Sequence, residues 1–366
     1  MMRRSMRKIV LIVAWITYLP AFGFSSPQDV KQEFSLFATK IKNWGLVNTE
    51  DKSHIHALDA WKIQEGNHEI IVAVIDTGID PSHKALSANI WHDTHEKNPN
   101  IFGWNFVADK PNPTDEHGHG THVAGIIGAI ADPNSGVSGV AHRVSIMPVK
   151  YYSEANPGSV NLKNTVRAIN YAVNHGARII NYSGGGPEFS EEEYIAIKKA
   201  EAKGVLFVSA AGNEHQDTDR SENYYYPSAY RLSNIISVAA TDIHNNLLAS
   251  SNWGKRSVDV AAPGENIYST LPQGRFGYMS GTSQATAFVT GVAALLLSQD
   301  PTLSPQKLKA IITGSVDKVP QLQNKIASGG RVNAYSALRG LPAKPKEIQP
   351  KNGFTEKLLA QSLQKS

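Results

Sequence analysis

Three short segments of this chain place a carboxylate, an imidazole and a hydroxyl where each could do chemistry. In Ile71-Val-Ala-Val-Ile-Asp76-Thr-Gly78 an acid closes an apolar, β-branched run, which puts Asp76 at the end of a buried strand. An aspartate there serves equally as a metal ligand, a helix cap or a partner for a base. In His117-Gly-His119-Gly120-Thr121-His122-Val-Ala-Gly125 three histidines fall within six residues. The spacing disfavours a metal centre, because the intervening glycines fix no ligand geometry and the H-E-x-x-H arrangement is absent. A histidine at the mouth of a closely packed helix fits better. The helix N-terminus disfavours imidazolium, a carboxylate partner favours it, and the balance holds the pKa near neutrality, as a general base requires. In Ser280-Gly281-Thr282-Ser283-Gln284-Ala285-Thr286 a serine opens a helix of small residues. Its backbone N–H points outward at the helix N-terminus and can stabilise an oxyanion. Taken alone, the same serine reads as an N-cap.

These groups need a frame, and the chain supplies one. From about residue 68 short apolar runs alternate with segments of helical period. Strands are expected at 69–75, 144–149, 178–182, 205–210 and 235–240. Helices are expected at 161–175, where Leu162, Val166, Ile169, Tyr171 and Val173 give a mostly amphipathic spacing, and from Ser190 to about Lys203. Ser190 with Glu193 forms a capping-box pattern. Residues 282–297 are apolar and small, which predicts a helix buried on all sides, and Ser304-Pro305 signals the start of another, through Ile312. This rhythm predicts an α/β fold: three layers, with a mostly parallel central sheet flanked by helices. Clefts in such sheets lie at the carboxyl ends of the strands. Asp76, Ser183 and Asn213 each follow a predicted strand.

The order Asp, His, Ser, together with V-I-D-T-G, H-G-T-H-V-A-G and G-T-S-x-A-T, resembles the subtilisin-like serine peptidases, the subtilases of peptidase family S8. Trp44-Gly45-Leu46 and Ala60-Trp61 are similar to that family's N-terminal stretch, so the resemblance covers residues 43–340. An α/β-hydrolase is excluded, since G-x-S-x-G is absent and that fold places its acid after the serine. The resemblance implies a serine endopeptidase that hydrolyses peptide bonds through an acyl-enzyme. Ser283 would be the nucleophile, His119 the base, and Asp76 the group that orients His119. Ala210-Ala-Gly-Asn213 resembles the family's oxyanion loop, so the Asn213 side chain would donate to the tetrahedral intermediate beside the Ser283 N–H. Ser183, Gly184 and Gly185 stand where the family pairs its backbone with an extended polypeptide substrate. The Asn181-Tyr-Ser183 sequon lies in this strand and is not read as a glycosylation site. The alternatives are a processing peptidase of narrow specificity and an inactive subtilase-like binding protein.

The sequence departs from the family in three places. Gln284 follows the nucleophile where Met is usual, and Ala287 stands where Pro is usual. Without proline's fixed φ and missing N–H, the first turn could settle differently and lower turnover. Third, the usual H-P-D-L context of the calcium site is here His83-Lys84-Ala85-Leu86, which lacks the Asp ligand. The partner loop retains Asp132 and Asn134, but hard-cation sites need about 6–8 oxygens. No metal ligands are therefore assigned, a structural calcium is not expected, and catalysis requires no cofactor.

The ends of the chain bear on its destination. Arg3, Arg4, Arg7 and Lys8 precede an apolar stretch over residues 9–24, with Ala21 and Gly23 at −3 and −1 of a cleavage site. The stretch is short for a span of about 20 residues, so residues 1–24 read as a signal peptide. Cysteine is absent from the chain, which excludes a lipid anchor on cysteine, disulfide support and thiolate chemistry. With the leader gone, the 36 basic residues fall by those four to match the 32 acidic ones. A neutral mature chain argues against a nucleic-acid partner. The expected organisation is a short extension at 25–45, a peptidase domain at 46–342 and a polar tail at 343–366. The expected product is a monomer, secreted or periplasmic, with no membrane contact once the leader is cleaved. Residues 25–43 are too few for a folded pro-domain, so unaided folding is expected.

Overall fold

A computed structural model describes residues 38–341, except 49, 51, 94–100 and 112. The leader, most of the short extension and the polar tail lie outside the described residues. In chain order the elements are α1 (Ala57–Trp61), β1 (Gly66–Asp76), β2 (Trp104–Asn105), β3 (Lys110–Pro111), α2 (His119–Gly128), β4 (Arg143–Lys150), α3 (Gly158–Asn174), β5 (Ile179–Tyr182) and α4 (Glu191–Ala202). They continue with β6 (Leu206–Ala210), β7 (Ile235–Thr241), β8 (Val260–Pro263), β9 (Ile267–Leu271), β10 (Arg275–Met279), α5 (Thr282–Gln299), α6 (Pro305–Gly314), β11 (Asp317–Lys318), β12 (Gly330–Arg331) and α7 (Ala334–Arg339).

Strand β1 shows how the layers form. Val72 and Val74 pack in one core with Val123 and Ile126 of α2 and Phe288 and Val292 of α5. Ala73 and Ile75 point the other way, into a core with Ile169 of α3 and Ile197 of α4. The period-2 alternation of a strand thus feeds two apolar faces, as a parallel sheet covered by helices requires. The sheet order is β11-β12-β8-β7-β6-β5-β1-β4-β2-β3. Its interior pairs are all parallel, and only the outer pairs β11–β12 and β2–β3 are antiparallel. This is the three-layer, mostly parallel α/β architecture predicted above.

Register then aligns the site. Ile75 pairs with Tyr182, and Tyr182 with Ser209. Asp76, Ser183 and Ala210 therefore leave the sheet side by side at its carboxyl edge. Helix α5 runs beneath it, buried along its whole length and packed on β1, β5, β6, β7, β8 and α2. Strand β8 and the separate β9–β10 hairpin carry no clear signal in the sequence, yet the hairpin anchors the site: Thr270 Oγ1 donates to the Thr121 carbonyl (2.7 Å) and Ser269 Oγ to that of His122 (2.8 Å). A Cβ on Gly125 would overlap both side chains, so this approach requires glycine.

One predicted cap differs in detail. Ser190 Oγ accepts from the Glu193 N–H (3.2 Å), but the Glu193 side chain does not reach back to Ser190. The Ser190 N–H instead meets the Tyr230 hydroxyl (3.1 Å), and Glu193 turns inward beside that hydroxyl. The Ser304 cap and Pro305 at the first helical position occur as predicted.

Candidate active site

Asp76 is the last residue of β1 and His119 the first of α2. His119 Nδ1 lies 2.7 Å from Asp76 Oδ1, which also accepts from the Thr77 N–H (2.8 Å). Burial opposes charge on His119, but the Asp76 carboxylate outweighs it through its charge and its hydrogen bond, with a further contribution from Asp115. The pKa is raised above the usual histidine value, so the expected balance tips towards imidazolium.

Asp115 was not singled out in the sequence. It is 4% exposed, and its carboxylate accepts from Thr77 Oγ1, the N–H groups of His117 and Gly118, and both the N–H and Oγ1 of Thr121. It thereby ties down the turn that enters α2 and satisfies the Thr121 N–H in the first turn of that helix. Thr77 Oγ1 in turn accepts from the Gly120 N–H (3.0 Å). A Cβ on Gly120 would overlap the Gly78 carbonyl, so glycine lets α2 start against β1. The signal for Asp115 was its position, an acid four residues before His119 at a helix entrance.

Neither of the other two imidazoles is hydrogen-bonded to Asp76, although the His117 ring stands edge-on to that of His119, 6.3 Å between centroids. His117 Nε2 is 3.2 Å from the exposed Glu154 carboxylate. His122 is fully buried, with Nε2 near the Gly277 carbonyl (3.3 Å), and burial lowers its pKa to about 4. Among the described residues no group of three or more His, Cys, Asp or Glu side chains is arranged to hold a metal ion.

Ser283 is the second residue of α5. Its hydroxyl donates to the Ser183 carbonyl (3.1 Å), and Ser183 Oγ donates back to the Ser283 carbonyl (3.3 Å). No hydrogen bond joins the Ser283 hydroxyl to His119 among the described residues, in keeping with the looser catalytic bonds of substrate-free sites. Asn213 lies beyond β6. Its Oδ1 accepts from the N–H (2.9 Å) and Oγ1 (3.2 Å) of Thr282. Because a backbone N–H must face the oxygen, the amide orientation is determined. Nδ2 is left to donate elsewhere.

Past β5 the segment from Ser183 to Gly185 continues beyond the sheet. At Gly186 it pairs with Tyr226 (N–H to O distances of 3.0 and 2.8 Å). The Tyr225 ring sits between this segment and the Asn213 loop: a Cβ on Gly185 would overlap it, and one on Gly212 would come within 3.0 Å.

A family model for the subtilase family matches residues 67–333. The chain is 38% identical over 285 residues to thermitase of Thermoactinomyces vulgaris, covering 78% of this chain and 94% of that one. It is 40% identical over 258 residues to the major intracellular serine protease of Bacillus subtilis, covering 69% and 76%. The structure matches that of a cold-adapted subtilisin-like serine proteinase with a TM-score of 0.61 and 28% identity, covering 80% and 97%. The chain belongs to the subtilase family and is a serine-type endopeptidase.

Proposed function

We propose that this chain is an exported endopeptidase in which Asp76, His119 and Ser283 form the catalytic triad. The observation that carries this reading is the 2.7 Å contact between Asp76 and His119 Nδ1. It holds the proton on Nδ1 and leaves Nε2 free as a base. On substrate binding the Ser283 hydroxyl turns from the Ser183 carbonyl to Nε2. His119 takes its proton as Oγ attacks the scissile carbonyl, and Asp76 stabilises the imidazolium. The Ser283 N–H and Asn213 Nδ2 donate to the oxyanion. Collapse expels the amine, which receives the proton from His119, and water then cleaves the acyl-enzyme by the same route. A fluorophosphonate probe should label the wild type and not Ser283→Ala. Equal labelling of both would end this assignment and favour an inactive binding protein.

The substrate is an extended polypeptide that adds as a strand along Ser183, Gly184 and Gly185, where the chain has run past the pairing of β5 with β1 and β6. The Tyr225 ring supports a narrow choice of acyl residue, and hence the reading as a processing peptidase over a broad degrader.

Export rests on the basic leader and apolar stretch of residues 1–24. Among the described residues no helix is long and apolar enough to cross a membrane. N-terminal sequencing of protein recovered outside the cytoplasm tests this: a chain that still begins at Met1 would contradict it.

We infer that the loop that holds calcium in the family does not suit the ion in this chain. Asp132 Oδ1 accepts from the Asn134 N–H (3.0 Å), Oδ2 accepts from Ser135 Oγ (2.9 Å), and the Lys84 ammonium is 3.5 Å from Oδ2. A lysine ammonium thus stands beside the loop's carboxylate, which argues against a calcium ion held there.

A further inference from the structure

A cavity of about 290 Å³ opens beside Gly185 and Gly186. Tyr151, Tyr152, Tyr182 and Tyr226 line it, and so do two carboxylates, Glu193 and Glu188. Among the described residues lining it there is no Lys, Arg or His. Glu188 is exposed at the rim, whereas Glu193 is 2% exposed.

The inward turn of Glu193 is what makes the cavity unusual. Its Oε2 lies 2.8 Å from the Tyr230 hydroxyl, but that hydroxyl also lies 2.9 Å from the Ser190 carbonyl. A phenol has one proton and can serve only one acceptor at a time. The buried carboxyl is therefore short of donors and has no positive partner. Burial pushes its pKa up to about 7, against the Tyr230 hydrogen bond, as expected of a carboxylate awaiting a counter-charge. Tyrosine faces around it would favour a cation further, since each ring presents negative π-density.

We propose that this cavity is a specificity pocket for a lysine or arginine side chain of the polypeptide substrate, with Glu193 as its counter-charge and Glu188 at its mouth. The proposal rests on the reading of Ser183, Gly184 and Gly185 as the substrate-pairing segment. Ser183 touches the nucleophile, and the cavity begins at Gly185. An antiparallel strand advances one residue per partner residue, so the basic side chain belongs about two or three residues N-terminal to the acyl residue. Because side chains alternate between faces, only one of those positions can enter the cavity.

The test is a peptide series in which a single arginine is moved through each position on both sides of the scissile bond. A matched series carries citrulline, its uncharged isostere. At one position about two or three residues upstream, the wild type should cleave the arginine peptide with a kcat/KM about tenfold or more above its citrulline partner. Glu193→Gln should bring that ratio close to one. Glu188→Gln, at an exposed site where folding is not at stake, should lower it by a smaller factor. Equal cleavage of both series at every position by the wild type overturns the pocket while leaving the endopeptidase reading intact. So does a full arginine preference in Glu193→Gln. Failure to cleave any peptide overturns both.

Discussion

Ser183 and Ser283 exchange hydrogen bonds across the carboxyl edge of the sheet, each hydroxyl donating to the other's carbonyl. The pair belongs to a longer chain: Thr290 Oγ1 donates to Asn181 Oδ1 (2.8 Å), and Asn181 Nδ2 donates to Ser183 Oγ (3.0 Å). Strand β5 and helix α5 are thus stitched together at the point where the nucleophile stands. Ser183→Ala leaves the backbone acceptor of the Ser283 hydroxyl in place but removes the acceptor of the buried Asn181 amide, while the Ser283 carbonyl keeps its place in the α5 ladder. Stability should fall by about 1–3 kcal/mol in urea unfolding, with fluorophosphonate labelling retained. An unchanged unfolding midpoint would mean that the exchange contributes nothing.

Much of this arrangement was legible in the sequence, for local reasons. The strand ends, the helix start at His119 and the wholly apolar helix after Ser280 are written in hydrophobic period and in glycine placement. Helix α5 runs unbroken through the buried Ala287, so the sequence's concern for its first turn finds no irregular element. What was not legible depends on residues far apart in the chain. Asp115 reads as one acid among several until its five donors are seen together. Glu193 fits the capping-box pattern, yet Tyr230, remote in sequence, takes over that role and lets the carboxyl turn inward.

The raised pKa of His119 fixes the direction of a pH profile. The base must be neutral, so kcat/KM should rise with pH through a midpoint above the usual histidine value of about 6.5. In Asp76→Asn the main raising influence is gone while burial and the lesser contribution of Asp115 remain, so the midpoint should move down while kcat falls by about 10⁴. The same shift is a stability term. It is present in full below about pH 6.5 and is lost as pH rises through the folded pKa. An acid limb unmoved by Asp76→Asn would show that another group titrates.

Asn213 is aimed by Thr282, which occupies its Oδ1 and leaves Nδ2 to donate. Asn213→Ala should cost about 10²–10³ in kcat with KM little altered, the loss known for this family's side-chain oxyanion donor. Thr282→Val keeps the N–H contact and removes only the weaker Oγ1 bond, so its loss should be under about tenfold. A larger effect from Thr282→Val than from Asn213→Ala would contradict the assignment of Nδ2 as donor.

Tyr225 lies between Gly185 and Gly212, and on the proposed placement of the substrate it fills space that an acyl-residue side chain would otherwise use. The wild type should therefore prefer glycine or alanine at that position over leucine or phenylalanine. Tyr225→Gly should reverse the order, raising kcat/KM for a leucine or phenylalanine peptide about tenfold or more relative to the alanine one. Each buried methylene in such a pocket carries about 1–3 kcal/mol of discrimination. Unaltered preference in the variant would place the acyl side chain elsewhere.

The contact between Lys84 and Asp132 makes a thermal prediction. A calcium ion present at a hundred times its Kd would stabilise the fold by about 2.7 kcal/mol. At about 2–4 °C per kcal/mol for a domain of this order of size, its removal should be plain in a melt. Here the Lys84 ammonium already stands 3.5 Å from the only carboxylate of the loop, and a divalent ion would have to displace or repel it. Melting temperature should therefore be the same in excess EDTA and in excess calcium. Lys84→Pro combined with Ala85→Asp restores the H-P-D-L context and removes the cationic side chain, so any response to calcium should appear in that double variant first. A drop of several degrees on adding EDTA to the wild type would show that a calcium ion stabilises the fold after all.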